Sequence, residues 1–78
     1  MYEPRIMKEL ERFASLDMRL ARKEGRIIIA TRNKGRADLN YTDGVYKLIE
    51  SSAGVVLYEG RIKKDCREAL INLYEVVT

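Results

Sequence analysis

The sequence predicts an α+β fold in the order α-β-β-β-β-α, and three observations along the chain support this prediction. Before residue 24, apolar residues recur at the three- and four-residue spacing of one helix face. Between residues 26 and 59, four short strand-like segments are separated by turns that contain glycine. After Gly60 the helical spacing returns. A chain of 78 residues has room for one core, so we expect residues 1–78 to form a single domain.

The first segment predicts an amphipathic helix from residue 4 to residue 23. Pro4 suits the first turn because its missing N–H would have no helical partner there. Arg22 and Lys23 oppose the negative end of the helix dipole, and Gly25 is placed to end the helix. The predicted apolar stripe consists of Ile6, Met7, Leu10, Phe13, Ala14, Met18, Leu20 and Ala21.

Asp17 falls near the middle of this stripe, where a carboxylate is costly to bury without a partner. Two structural explanations are open. Either the helix breaks there and Ser15 caps a second helix, or the carboxylate meets a basic or hydroxyl group at the edge of the core. Both are favoured over a catalytic role, because a perturbed acid is only a weak marker of an active site.

The central segment predicts an antiparallel meander with turns at NKG, TDG and SSAG. Side chains alternate between the two faces of a strand. The face expected under the helices carries Ile27, Ile29, Thr31, Ala37, Leu39, Tyr41, Tyr46, Leu48, Val56 and Tyr58. The other face carries Arg26, Arg32, Arg36, Lys47, Ile28, Val45, Ile49, Val55 and Leu57. A solvated face should be more polar than this, which indicates contact with a second copy, another protein or one of the helices.

A second helix is predicted to begin near Ile62. Its apolar stripe consists of Ile62, Cys66, Ala69, Leu70, Leu73, Val76 and Val77. Because Cys66 lies on this stripe, we interpret it as a buried core residue and not as an activated thiol. Ile71 falls on the far side of the helix and Tyr74 at the margin of the stripe, so these two residues form a candidate contact patch.

The residue types argue against catalysis. The chain has no histidine, which removes Ser-His and Cys-His couples and histidine metal ligands. The glycines match no phosphate-binding loop motif. We therefore expect a non-enzymatic protein that binds no cofactor and no metal. The longest apolar run covers residues 27–30 and is far too short to cross a bilayer, so we expect a soluble, cytoplasmic protein.

Positive charge is concentrated in one part of the chain. Residues 19–36 hold seven basic residues against one acid, a distribution that attracts anionic partners. Together with a lysine of the third strand, the candidate partner-binding residues are Arg19, Arg22, Lys23, Arg26, Arg32, Lys34, Arg36 and Lys47. The alternative interpretation is a solvated basic rim that keeps a small protein soluble.

These features predict a protein-binding module, a small regulatory or inhibitory protein that binds a protein partner or forms a homodimer. The alternative is a nucleic-acid-binding protein that uses residues 19–36 on phosphates. The strand tyrosines are predicted on the face opposite the arginines, which disfavours single-strand binding by base stacking. In size and helix-plus-meander composition the chain resembles small phage-encoded antagonists of host complexes, including some anti-CRISPR proteins. That resemblance implies a binder of a nucleic-acid-handling complex.

Overall fold

The computed structural model describes residues 3–31 and 35–74 and confirms the predicted α-β-β-β-β-α architecture. The elements are helix α1 (Pro4–Glu24), strands β1 (Arg26–Thr31), β2 (Gly35–Thr42), β3 (Val45–Glu50) and β4 (Val55–Gly60), and helix α2 (Lys63–Leu73). The strands form one antiparallel sheet in the order β1-β2-β3-β4. Residues 33 and 34 of the predicted first turn lie outside the described part of the chain.

Helix α1 is continuous, so the predicted break near Asp17 does not occur. Gly25 ends the helix in the left-handed region with a φ of 84°, and its N–H donates to the Ala21 carbonyl over 2.7 Å. The predicted apolar stripe is too wide, because Phe13 and Leu20 are exposed. The side chains that α1 buries form a narrower line, namely Leu10, Ala14, Met18 and Ala21. The sheet covers only these buried residues, and the outer residues of the predicted stripe, Phe13 and Leu20, remain in contact with solvent.

Both helices pack on the same face of the sheet. Helix α1 contacts β1 and β2, helix α2 contacts β3 and β4, and the helices contact each other. One core lies between the layers, with Leu39 and Leu48 of the sheet and Leu70 of α2 fully buried. No described residue of either helix covers the other face, which we call the open face. Its outward side chains include Arg26, Ile28, Arg36, Asp38, Lys47, Ile49 and Val56.

Strand β4 contains a bulge that reverses part of its predicted facing. Leu48 pairs with Tyr58, whereas the next residue, Ile49, pairs with Val56, so Leu57 is an extra residue in the ladder. Val56 therefore shares the open face with Ile49. Leu57 instead lines a cleft with Leu73 of α2. Val55 pairs with Glu50, two residues from Leu48, so it too changes face. The predicted positions of Val55, Val56 and Leu57 are wrong, because strict alternation fails at a bulge.

Helix α2 is attached to the sheet at its start and buries two of its sides. The Tyr58 hydroxyl accepts from the Ile62 N–H at 2.9 Å and donates to the Ile62 carbonyl at 3.1 Å, which fixes the residue before the helix. Because α2 packs against α1 as well as the sheet, it buries more than a single stripe. Its buried residues are Cys66, Leu70, Ile71 and Leu73.

The turn between β2 and β3 binds the side chain of Arg61. Asp43 and Gly44 have φ angles of 52° and 82°, which is typical of a two-residue type I′ hairpin turn. Arg61 donates to the Asp43 carbonyl at 2.8 Å. A Cβ on Gly44 would lie 2.7 Å from the Arg61 guanidinium, so the turn needs glycine for its backbone and for this contact.

Candidate functional site

The predicted basic residues do not form one patch, because they belong to two groups on opposite sides of the molecule. Arg19, Arg22 and Lys23 lie in the last turns of α1, above the covered face of the sheet. A second group, Arg26, Arg36 and Lys47, lies on the open face. The two remaining candidates, Arg32 and Lys34, lie outside the described residues.

The open-face group has acidic neighbours. The Arg26 guanidinium donates to one Asp38 oxygen through Nε at 3.1 Å and Nη2 at 2.7 Å, and the Ser51 hydroxyl donates to the other oxygen at 3.2 Å. These contacts, chiefly the hydrogen bond from Arg26, hold the pKa of Asp38 below its usual value. Lys47 pairs across the sheet with Glu59. The charge of this group is therefore partly balanced within the protein.

The α1 group instead joins two cations of α2 around a cleft between the helices. We call it the basic cleft, and its charged and polar lining consists of Arg19, Arg22, Lys63, Arg67, Ser15 and Tyr46. Met18 adds an apolar contact, and the cleft volume is about 140 Å³. In residues 3–31 and 35–74, none of the four cations forms an ion pair with a carboxylate. Four cations without an ion-pair partner at one cleft make it a candidate site for anions.

Sequence reasoning found only half of the basic cleft. The charge run of residues 19–36 includes Arg19 and Arg22, but Lys63 and Arg67 come from a segment of mixed charge. Only the packing of α2 beside α1 brings them together. The sequence contained one sign of this arrangement, since Lys63 and Arg67 are four residues apart and so lie on the same side of a helix.

Tyr46 lines the basic cleft from strand β3, and its position there was not predicted. Its side chain is 2% exposed, and among the described residues its hydroxyl has no hydrogen-bond partner. Burial raises the pKa of this hydroxyl, and the positive charge of Arg22 opposes that rise. The hydroxyl is therefore a protonated donor at neutral pH. Leaving such a group unsatisfied costs about 1–3 kcal/mol.

The predicted contact patch of Ile71 and Tyr74 does not form an exposed surface. Ile71 is 5% exposed because that side of α2 faces α1. The half-buried Tyr74 hydroxyl donates to the Asp17 carboxylate. This bond confirms the second explanation of Asp17, a hydroxyl partner at the edge of the core. Burial raises the pKa of Asp17, and the bond from Tyr74 partly offsets this.

The outer side of α1 carries a second apolar stripe, which we call the α1 ridge. It consists of Phe13, Leu16 and Leu20, each between 44% and 48% exposed. Sequence reasoning missed it by assigning Phe13 and Leu20 to the core. Leu16 and Leu20 share a shallow depression with Arg19 and Lys23. The ridge thus borders the cations of α1.

Comparison of the chain with protein-family models, with curated proteins and with solved structures finds no match. The described residues hold no cluster of three or more histidine, cysteine or acidic side chains suited to a metal. Neither α1 nor α2 combines the length and apolar character that would be needed to cross a membrane. The function is therefore inferred from the geometry of the α1 ridge, the basic cleft and the open face.

Proposed function

We propose that this protein is a non-enzymatic protein-binding module that contacts an acidic, amphipathic segment of its partner through the α1 ridge. One observation carries this proposal. Helix α1 already buries one apolar side in the core, yet it presents three large apolar side chains to solvent on another side. Exposed apolar clusters with a polar border are typical of protein contact sites.

The charges beside the α1 ridge indicate the chemistry of the partner. Arg12, Arg19 and Lys23 each lie three or four residues from Leu16 or Leu20, so they follow one flank of the ridge. The Arg12 guanidinium also lies over the Phe13 ring, 5.5 Å from its centre. A partner helix with apolar residues on the ridge and carboxylates on this flank would match both features.

A second copy of the chain fits the α1 ridge less well. Two copies that met through this surface would bring their cationic flanks together, and like charges at an interface are unfavourable. The open face is the alternative contact surface, because Ile28 is 58% exposed there. The charge of Arg26 is balanced there by Asp38, and Glu59 lies opposite Lys47 on the next strand, so this face offers less charge complementarity to an acidic partner.

A small binding protein of this kind would act by occupying a surface of a larger protein or complex. That mode of action supports the regulatory or inhibitory role that the sequence predicts. A partner that handles nucleic acids would carry acidic segments or bound phosphates, and these would contact the cations beside the α1 ridge. The proposal extends to this class of partner and requires no catalysis.

The test is a selection of displayed helical peptides on the wild-type protein. We expect the enriched peptides to combine leucine or phenylalanine with Asp and Glu at helical spacing. Leu16→Asp should weaken their binding about tenfold or more, as for a central contact residue. Ile28→Asp on the open face is the matched control and should leave binding unchanged. Peptides that bind equally to both variants and the wild type would contradict the proposal.

Self-association is measured on the same samples by light scattering. A monomer at all concentrations is expected for the wild type. A dimer that Ile28→Asp dissociates and Leu16→Asp does not would identify the open face as the contact surface, and the α1 ridge would lose its role.

Nucleic-acid binding is a second candidate, favoured by the unpaired cations of the basic cleft. Affinity for a mixed-sequence duplex should then fall steeply with salt, because bound counterions are released. Replacing Arg22 or Lys63 with Gln should reduce the salt slope by about one each, whereas Arg36→Gln on the open face should not. Absence of binding at low salt would exclude this candidate.

A further inference from the structure

We infer that the basic cleft is a binding site for a phosphate monoester group, a tetrahedral oxyanion that carries close to two negative charges. The inference does not depend on the α1 ridge, since Arg22, Lys63, Arg67 and Tyr46 take no part in that surface. Among the described residues, Arg19 alone lines both the basic cleft and the depression beside the α1 ridge.

The cations of the cleft come from two helices that line it from either side. Arg19 and Arg22 are three residues apart near the end of α1, and Lys63 and Arg67 are four residues apart at the start of α2. None of the described residues that line the cleft is acidic, although Asp65 lies in the first turn of α2. Four cations held together without a carboxylate repel one another, and a bound anion relieves that repulsion.

The start of α2 adds to the positive potential of the same region. Lys63 is the first residue of an 11-residue helix, and Ile62 before it provides no side-chain cap. The first N–H groups of a helix have no partner within the helix, and the helix dipole favours negative charge there. Because Lys63 lines the basic cleft, the positive end of this helix dipole adds to the potential that attracts an oxyanion there.

The unpartnered hydroxyl of Tyr46 indicates that this cleft binds a ligand. A buried hydroxyl without a partner is rare in folded proteins and calls for an acceptor. Tyr46 is one of the residues that line the basic cleft, its hydroxyl is buried, and Arg22 is close enough to affect the ionisation of that hydroxyl. Among the residues that line the cleft there is no carboxylate to accept its proton. An oxygen of a bound phosphate group would accept this hydrogen bond.

The charge of the site favours a monoester over the diesters of a nucleic-acid backbone. A phosphate monoester carries about −1.5 to −2 charges and three free oxygens. That charge and oxygen count suits four cations and a hydroxyl that converge, whereas a diester backbone is better served by cations along a line.

The experiment is an NMR titration of the full chain with methyl phosphate, dimethyl phosphate and inorganic phosphate, with sodium chloride used to keep the ionic strength constant. We expect methyl phosphate and inorganic phosphate to produce saturable shifts at Tyr46, Lys63 and Arg67. Dimethyl phosphate should bind about tenfold more weakly or not at all, because it has one charge and fewer free oxygens. Equal shifts for all three, or shifts that chloride reproduces, would overturn the inference.

Variants locate the site. Tyr46→Phe removes one hydrogen bond to a charged group and should weaken methyl phosphate binding about tenfold, while Tyr41→Phe on the neighbouring strand should not. Arg22→Gln should weaken binding about tenfold. Lys23→Gln is its matched control, because it removes the same charge one residue outside the cleft, and we expect a change below about twofold. Affinity that falls equally for Arg22→Gln and Lys23→Gln would reveal general charge attraction and overturn the inference.

Two further probes identify the source of the phosphate group. O-phosphoserine and uridine 5′-monophosphate present the same monoester on an amino acid and on a nucleotide. The one that binds more tightly than inorganic phosphate identifies the natural carrier, and equal affinity for all three assigns the cleft to free phosphate. Leu16→Asn, which removes the apolar side chain without adding a charge, should leave each of these affinities unchanged, so a failure of the α1 ridge proposal is distinguishable from a failure at the cleft.

Discussion

The two faces of the sheet are built from the same alternating strands but are stabilised in different ways. On the covered face, Leu39 and Leu48 are fully buried and make only apolar contacts under the helices. On the open face, Ile28 is largely exposed and lies beside the ion pair of Arg26 with Asp38. Packing therefore determines which residues are tolerated on the covered face. On the open face, charge balance and contact with solvent determine this.

The largest expected effect tests this difference with two neighbouring residues of β3. Leu48→Asp would place an unpaired carboxylate in the core and should cost about 4 kcal/mol or more. This is comparable with the whole stability expected for 78 residues, about 4–12 kcal/mol. Ile49→Asp, on the open face, should cost only about 1 kcal/mol. Urea unfolding measures both, and similar losses for the two variants would show that the open face is covered in solution.

A smaller effect tests the bulge that assigns neighbouring residues of β4 to opposite faces. Leu57→Ala removes contacts beneath α2 and should cost about 1–2 kcal/mol, whereas Val56→Ala should cost about 0.5 kcal/mol. Regular alternation from Tyr58 would predict the opposite order. Equilibrium unfolding of the two variants distinguishes the bulged strand from the regular one.

The fold was predictable from the sequence because its signals are local. Turn residues separate the strands, and the helical spacing changes to a two-residue alternation near Arg26 and back near Ile62. The errors arise where the local pattern is modified by packing between elements. Alternation cannot reveal that Leu57 is an extra residue, and a helical stripe does not show which of its flanks a neighbour covers, as for Phe13 and Ile71.

The candidate site was less predictable than the fold. Charge density along the chain identified Arg19 and Arg22, but it also grouped them with Arg26 and Arg36 on the opposite side of the molecule. A linear count of charges cannot separate cations that have a carboxylate partner from cations that do not. Three of the features that matter, the packing of α2 beside α1, the ion pair on the open face and the unpartnered hydroxyl of Tyr46, exist only in the folded chain.

The smallest expected effect compares one aspartate from each side of the sheet. The pKa of Asp17, which lies on α1 and accepts a hydrogen bond from Tyr74, is raised by burial, so its contribution to stability is present below the unfolded pKa of about 3.9 and is lost as the pH rises through the folded pKa. The pKa of Asp38, on the open face, is lowered by Arg26, so its contribution is present above the unfolded pKa and is lost as the pH falls through the folded pKa.

The two aspartates should therefore change the pH dependence of stability in opposite directions. The free energy of unfolding of Asp17→Asn, relative to that of the wild type, should be higher at neutral pH than at roughly pH 3, which lies below the ordinary aspartate pKa. The relative free energy of unfolding of Asp38→Asn should instead be lower at neutral pH than at roughly pH 3. Urea unfolding of both variants at the two pH values measures this difference. If both variants shift in the same direction, the acids experience similar surroundings, and the contrast between the covered and open faces does not extend to their charges.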